Sequence, residues 1–181
     1  MSQTMNQTNV MGSLLTRLSP RTMAHVTGDV QLREVQEADL PVFYEDQSDP
    51  DASRMAAVAS RDEEAFAEHW RKILADPHSL IRTVLYDGEV AGNVLSFERD
   101  GLREVGYWIS RDFWGKGIGT QALDTFLDED TTRPIYARVA SDNFGSVRVL
   151  EKCGFEVLRT EWVEDETRDG SFEELLLARQ R

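Results

Sequence analysis

The sequence predicts an α+β fold, a mixed and mostly antiparallel central sheet with helices on both faces. Three observations carry this reading. Apolar runs at 80–86, 90–97 and 102–109 are separated by Asp87-Gly88 and Asp100-Gly101, and Asp-Gly between β-rich runs is a strong hairpin signal, so they form an antiparallel meander. Phe66, His69, Trp70, Ile73 and Leu74 follow the i, i+3, i+4, i+7, i+8 spacing of an amphipathic helix. The predicted order β, α, α, β, β, β, α, β, α, β, β interrupts the run of strands with helices, which fits a sheet covered by helices.

The elements follow in order. A short strand runs through Val30, Leu32 and Val35, and residues 37–47 then place Leu40, Phe43 and Tyr44 on one helical face before Asp49-Pro50-Asp51 ends the helix. Residues 51–59 hold small side chains and Met55 with no sustained period, and they read as a loop long enough to shape a pocket. Ser60-Arg61-Asp62-Glu63 has the capping-box pattern in front of the Phe66 helix, which Asp76-Pro77 closes. Beyond the meander, residues 111–119 form a glycine-bearing loop into a helix whose core face is Ile118, Ala122, Leu123, Phe126 and Leu127. Pro134 opens a strand over 135–139, and Asn143 caps a helix that carries Val147 and Leu150 and stops at Gly154. Two last strands, 155–163 and 172–178, are joined through a polar turn ending at Gly170.

The chain has 181 residues, 40% of them hydrophobic and 29% charged, which suits one globular domain over 30–181. Residues 1–29 are rich in Ser, Thr, Asn and Gln without an apolar period and read as a flexible N-terminal extension. A single cysteine, Cys153, cannot form an internal disulfide, and no stretch approaches the roughly 20 apolar residues of a membrane span, so a cytoplasmic location without membrane association is expected. The net charge of −13 argues against nucleic acid as a partner and leaves cationic partners open. Nothing in the composition separates a monomer from a homodimer.

The segment Phe113-Trp114-Gly115-Lys116-Gly117-Ile118-Gly119-Thr120 lies between a strand and a helix, where free amides and the positive end of a helix dipole make an anion site. The competing reading is a tight turn with a helix start. Two phosphate motifs fail: a Walker loop needs Ser or Thr directly after Gly-Lys, where Gly117 stands, and a dinucleotide fingerprint needs glycine at Thr120.

Taken with the strand Gly106-Tyr107-Trp108-Ile109 before it, and with Asn143-Phe144-Gly145-Ser146 and Glu151-Lys152-Cys153-Gly154-Phe155 after it, this loop resembles the GNAT superfamily of N-acetyltransferases. The likeness covers residues 30–179 and is greatest to the ribosomal-protein N-terminal (alanine) acetyltransferase branch. It implies that the amides of Gly115, Lys116, Gly117, Ile118, Gly119 and Thr120 hold the pyrophosphate of acetyl-coenzyme A. It also implies that the pantetheine arm pairs with the backbone of Trp108 and Ile109, where two parallel strands splay apart, and that Asn143 lies within reach of that arm. Trp114, bordering the groove, stands where many relatives have Arg or Gln, and Leu150 stands where many carry the tyrosine credited with protonating the departing thiolate.

Acetyl transfer to an amine needs a neutral nitrogen, whereas a lysine-type amine has a pKa of about 10.4 and an N-terminal amine one of about 7.7 to 8.0. Glu104, two residues before Gly106, is the candidate base, directly or through water; its plain alternative is a solvent-facing strand residue. Ser146 is the candidate donor to the leaving thiolate, or simply a first-turn helix residue. A strand N–H near Trp108 or Ile109 is the source of a hydrogen bond to the reacting carbonyl. His69 reads as a packed core residue, His25 and His78 share no metal spacing with it, and no metal is expected. Cys153 reads as a small buried residue and not an acyl carrier. The expected function is therefore direct acetyl transfer, in a ternary complex, to a primary amine of cationic character, either a protein or peptide N-terminus or a small amine. The competing function is a non-catalytic acyl-coenzyme A sensor or structural protein of the same fold, which Leu150 favours.

Overall fold

The computed structural model describes residues 28–165 and 170–181. Nearly all of the N-terminal extension and the turn leading to Gly170 lie outside the described residues. Strand β1 (Val30–Arg33) leads through a 3-10 turn (Glu37–Asp39) into α1 (Leu40–Ser48), α2 (Pro50–Ala56) and α3 (Glu63–Ala75). The meander β2 (Leu80–Tyr86), β3 (Glu89–Arg99) and β4 (Leu102–Ile109) follows, then α4 (Ile118–Glu129), β5 (Ile135–Ala140), α5 (Phe144–Lys152), β6 (Glu156–Asp165) and β7 (Gly170–Arg179). The seven strands lie in the order β1-β2-β3-β4-β5-β7-β6. Every pairing is antiparallel except β4 with β5.

Strand alternation divides the core. Val84, Val94 and Val105 face one side and pack with Ile118, Leu123 and Phe126 of α4 and Leu150 of α5. Ile81 and Leu95 face the other side and pack with Phe43 of α1 and Phe66 and Trp70 of α3. All five residues expected on the inner face of α4 are buried. Asp39 is buried beneath the 3-10 turn, where it accepts from Arg33 at 2.6 and 2.7 Å, from the Thr83 hydroxyl at 2.7 Å and from the Gln36 amide at 2.9 Å. Burial by itself raises the pKa of this carboxyl, but these donors outweigh it and hold it at about 2.

Four local expectations are corrected. Most of the expected 51–59 loop is helix α2, started by the Asp49 carboxylate, which accepts from the amides of Asp51 (2.9 Å) and Ala52 (3.2 Å), and by Pro50 in the first turn. The cap of α3 is Asp62 and not Ser60, its carboxylate accepting from the Ala65 amide at 2.8 Å. Leu74, expected on the inner face of α3, is exposed, and His69 is only half-buried. The meander, antiparallel as expected, also carries an irregularity on β3, where Val84 pairs with Gly92 and Leu85 with Val90. Gly92 has φ +145°, and a Cβ there would lie 2.0 Å from the Trp108 carbonyl oxygen, so only glycine lets β3 approach the end of β4 this closely.

Candidate active site

The site begins with a missing ladder. Among the described residues β4 and β5 pair in parallel at Glu104 with Tyr136 alone, after which β4 follows β3 as far as Ile109 and β5 follows β7 as far as Ala140. The β5-facing side of residues 105–109 is therefore open between two strands of the same direction. A cavity of about 410 Å³ occupies this region, lined by Tyr107, Trp108 and Ile109 of β4, by Gly115, Gly117, Gly119 and Thr120 of the loop, and by Asn143 and Ser146 at the start of α5. The loop turns through positive φ at Gly115 (75°) and Gly117 (82°), and Gly117 is the N-cap of α4. The N-terminus of a 12-residue helix, with its unpaired amides, is thereby set at the cavity wall. Backbone glycines at the wall and an open strand edge suit the pyrophosphate and amide groups of a coenzyme A arm.

Most of the residues singled out in the sequence meet here, though not all in the expected way. Trp114 is 40% exposed and its Nε1 donates to the Ile109 carbonyl at 2.6 Å, tying the loop to the end of β4. The Lys116 ammonium lies over the rings of Phe113 (5.1 Å) and Tyr86 (5.7 Å), while the cationic side chains at the cavity are Arg148 and Lys152 of α5. Asn143 is buried and spans two elements: its Oδ1 accepts from the Ser146 amide at 3.1 Å and its Nδ2 donates to the Met55 carbonyl of α2 at 3.2 Å. Leu150 is fully enclosed in the core and Cys153 is buried, its thiol donating to the Thr120 carbonyl at 3.5 Å.

Glu104 is a buried ion-pair residue. Arg138 Nε donates to its carboxylate at 2.9 Å, Arg99 lies at 3.8 Å, and Arg138 also reaches Glu174 at 3.2 Å. The carboxylate is thus clamped at the point where β4 and β5 part, off the wall of the cavity. Gly106, next on the same face, carries no side chain, and a Cβ there would stand in ordinary contact with Leu95 at 3.9 Å and Phe97 at 4.0 Å.

Two further groups escaped the sequence reading. The Tyr107 hydroxyl donates to the Ser146 carbonyl at 3.0 Å, and burial pushes its pKa well above the usual phenol range, so it stays protonated at the cavity wall. Its position in the alternation of β4, one residue from Trp108, was the available signal. Asp46 of α1 accepts from the Ser110 hydroxyl at 2.7 Å just beyond β4. Burial pushes its pKa up to about 6, the Ser110 bond opposing this and the charges of Glu45, Asp112 and Asp49 adding to it.

A second, open cleft of about 850 Å³ adjoins the first and shares Met55 and Trp114 with it. Its walls carry the carboxylates of Asp51, Asp142 and Glu173 and the rings of Trp114, Trp162 and Phe172. Arg54 and Arg111 also line it, but Arg111 pairs with Asp49 at 3.0 Å and Asp51 at 3.5 Å, and Arg54 with Asp51 at 3.3 Å.

Comparison with known proteins gives the site its setting. Residues 29–156 match the family model of the acetyltransferase (GNAT) domain. A Bacillus subtilis (strain 168) protein provisionally described as the ribosomal N-acetyltransferase YdaF is 34% identical over 99 residues, which span 51% of this chain and 54%, about half, of that relative. The spermidine N-acetyltransferase of Vibrio cholerae, solved with CoA and spermine, superposes with a TM-score of 0.75 at 18% identity over 83% of this chain and 95% of its own. The aminoglycoside acetyltransferase AAC(6')-Ib, solved with coenzyme A and kanamycin, gives 0.67 at 22% identity over 84% and 95%. With a family match over most of its length, the chain belongs to the acetyltransferase (GNAT) family.

Proposed function

We propose that the chain moves an acetyl group from acetyl-coenzyme A to a primary amine of a cationic acceptor, the amine attacking directly in a ternary complex. The observation that carries this reading is the junction of two unlike cavities at Met55 and Trp114, one walled by glycine amides and a strand edge, the other by carboxylates and rings. Acetyl-coenzyme A, when bound, supplies an activated thioester. Amides of 115–120 hold its pyrophosphate, Arg148 and Lys152 add positive charge beside it, and the open edge of β4 at Trp108 and Ile109 receives the pantetheine arm as an added strand. A β4 N–H donates to the carbonyl oxygen as it gains charge.

On the acceptor side, Asp142 and Glu173 attract an ammonium group, Asp51 being engaged by Arg54 and Arg111, and the face of Trp162 holds its carbon chain or its charge, one face of Trp114 lying under Arg111. Glu104, fixed by Arg138, takes the amine proton through a water lying over Gly106. Ser146 donates to the leaving sulfur from the first turn of α5, its position set by the Asn143 cap. A second reading rests on Leu150: its burial in the core removes the usual proton donor and suits a protein that binds acyl-coenzyme A without turnover.

Coenzyme A release measured with a matched pair of basic and acidic acceptor peptides, across salt concentration, tests the proposal. The basic peptide has the higher kcat/KM, and its advantage shrinks as the Debye length falls from about 10 Å at 0.1 M to about 3 Å at 1 M salt. Equal, salt-insensitive values remove the charge argument, and no release with any amine, while the cofactor still binds, favours the non-catalytic reading.

A further inference from the structure

One chain of hydrogen bonds runs from β4 to α2 across the start of α5. The Tyr107 hydroxyl of β4 donates to the Ser146 carbonyl at 3.0 Å, the Ser146 amide donates to Asn143 Oδ1 at 3.1 Å, and Asn143 Nδ2 donates to the Met55 carbonyl of α2 at 3.2 Å. The first two links belong to the wall of the cofactor cavity. The third leads out of it, because Met55 stands where that cavity meets the acidic cleft. Helix capping does not call for this third link. An N-cap needs one acceptor, which aspartate and serine supply as well as asparagine does. Asparagine adds a donor on a second atom, and in Asn143, which is 8% exposed, that donor is turned to α2.

The tie falls at the end of α2. Its start is held by the Asp49 cap and by Arg111, an exposed side chain whose pairs with Asp49 and Asp51 contribute little to stability. In the last turn the Ser53 carbonyl accepts from the Val58 amide and the Arg54 carbonyl from the Ala57 amide, and the chain leaves through Ala57 in a left-handed conformation (φ 52°). The Met55 carbonyl, next in line, meets Asn143. Helix α2 carries Asp51, Arg54 and Met55 to the acidic cleft, so a shift of its last turn moves that wall. We propose that Asn143 is a positioning residue for the acceptor: it pins the end of α2 to the start of α5 and thereby fixes the partition between the two cavities at Met55. The inference rests on the reading of the acidic cleft as the acceptor side.

Two substitutions remove the tie and keep the cap. Asn143→Asp preserves the shape and sets an oxygen, in place of the donor, against the Met55 carbonyl; Asn143→Ser adds no charge and is too short to reach α2. The full chain is assayed for turnover of a basic peptide and a linear diamine, for coenzyme A affinity by calorimetry, and for amide hydrogen exchange. In both variants kcat/KM for the acceptor falls about tenfold or more, since a misplacement of about 1 Å can cost roughly 100-fold. Coenzyme A binds Asn143→Ser within about threefold of the wild type, because the cap that shapes its wall is kept. The amides of Ala57 and Val58 exchange about tenfold faster, while that of Val147, bonded to the Asn143 carbonyl in the first turn of α5, is unchanged. A wild-type chain that binds coenzyme A but acetylates neither probe removes the acceptor reading and this proposal with it. With an active wild type, variants that lose coenzyme A affinity and keep the acceptor kcat/KM, or in which Val147 is loosened as much as Ala57, overturn the positioning role alone and leave Asn143 as a cofactor contact or a cap.

Discussion

Replacing Glu104 by Gln separates two roles that the structure superimposes on one carboxylate. The amide keeps the shape and one acceptor for Arg138 Nε, now 2.9 Å from Glu104, and Arg138 retains Glu174 at 3.2 Å, so the guanidinium is not stranded. The stability cost is therefore about 1 to 3 kcal/mol, below the 3 to 5 kcal/mol typical of a buried pair broken outright. In a domain of this size that lowers Tm by roughly 3 to 12 °C. If Glu104 relays the amine proton, kcat/KM falls a further 10²- to 10⁴-fold, roughly, at neutral pH. That loss shrinks as pH rises, because the acceptor amine then arrives neutral. The assay is thiol release at a temperature well below both melting points, recorded from pH 6 to 10 with saturating acetyl-coenzyme A. A lowered Tm with an unchanged pH–rate profile would refute the base assignment and leave Glu104 as a strut between β4 and β5.

Other outcomes follow from the same geometry. Gly117→Glu puts a carboxylate at the start of α4 and forces a side chain into a φ of 82°; it abolishes the thermal shift from acetyl-coenzyme A, which at 100 times the dissociation constant is worth about 2.7 kcal/mol in the wild type. Asp46 has a native pKa of about 6, above its unfolded value, so its burial weighs against the fold increasingly as pH rises from about 4 through 6. Asp46→Asn is accordingly more stable than the wild type by about 1 kcal/mol at pH 7, after discounting for partial solvent screening, and equal to it near pH 4, as read from urea unfolding. Asp39, held at about 2, contributes stability above its unfolded pKa and loses it as pH falls toward 2; Asp39→Asn therefore flattens the acid limb of the same unfolding curve. On the direct mechanism proposed above, Cys153→Ser keeps most of the activity, and mass spectrometry of the wild type after incubation with acetyl-coenzyme A alone shows no acetyl adduct at Cys153.

What could be read from the sequence, and what could not, divides by the range of the interaction. The meander, the face of α4 and the Asn143 cap are local patterns of period 2, period 3.6 and short-range hydrogen bonding, and they appear as expected. Helix α2 was missed because its pattern is too short to show a period; its start lies in two residues, Asp49 and Pro50, that serve equally well to end α1. The glycine loop was legible as a motif, but the direction of the Lys116 side chain depends on two rings, Tyr86 and Phe113, the first of them far off in the chain. Glu104 is singled out by its place on the strand that the resemblance sets beside the acetyl group; its clamp comes from Arg138 on the neighbouring strand, a contact between strands joined by a crossover. Tyr107 and Asp46 act through partners 39 and 64 residues away, which no periodicity records.

The single backbone pairing between β4 and β5 has an evolutionary consequence. The stretch of β4 from 105 to 109 presents main-chain donors and acceptors where another strand should lie, and a ligand that supplies amides in their place is recognised by atoms common to every residue type. Such recognition survives substitution. Side chains around the gap are then free to drift, which is how a tryptophan can occupy 114 without dismantling the groove. On the proposed reading the acceptor wall has no such insurance, because the cleft is lined by side chains of α2, of the last two strands and of the segments around Arg111 and Asp142. A scaffold divided in this way holds one substrate constant while the other is exchanged.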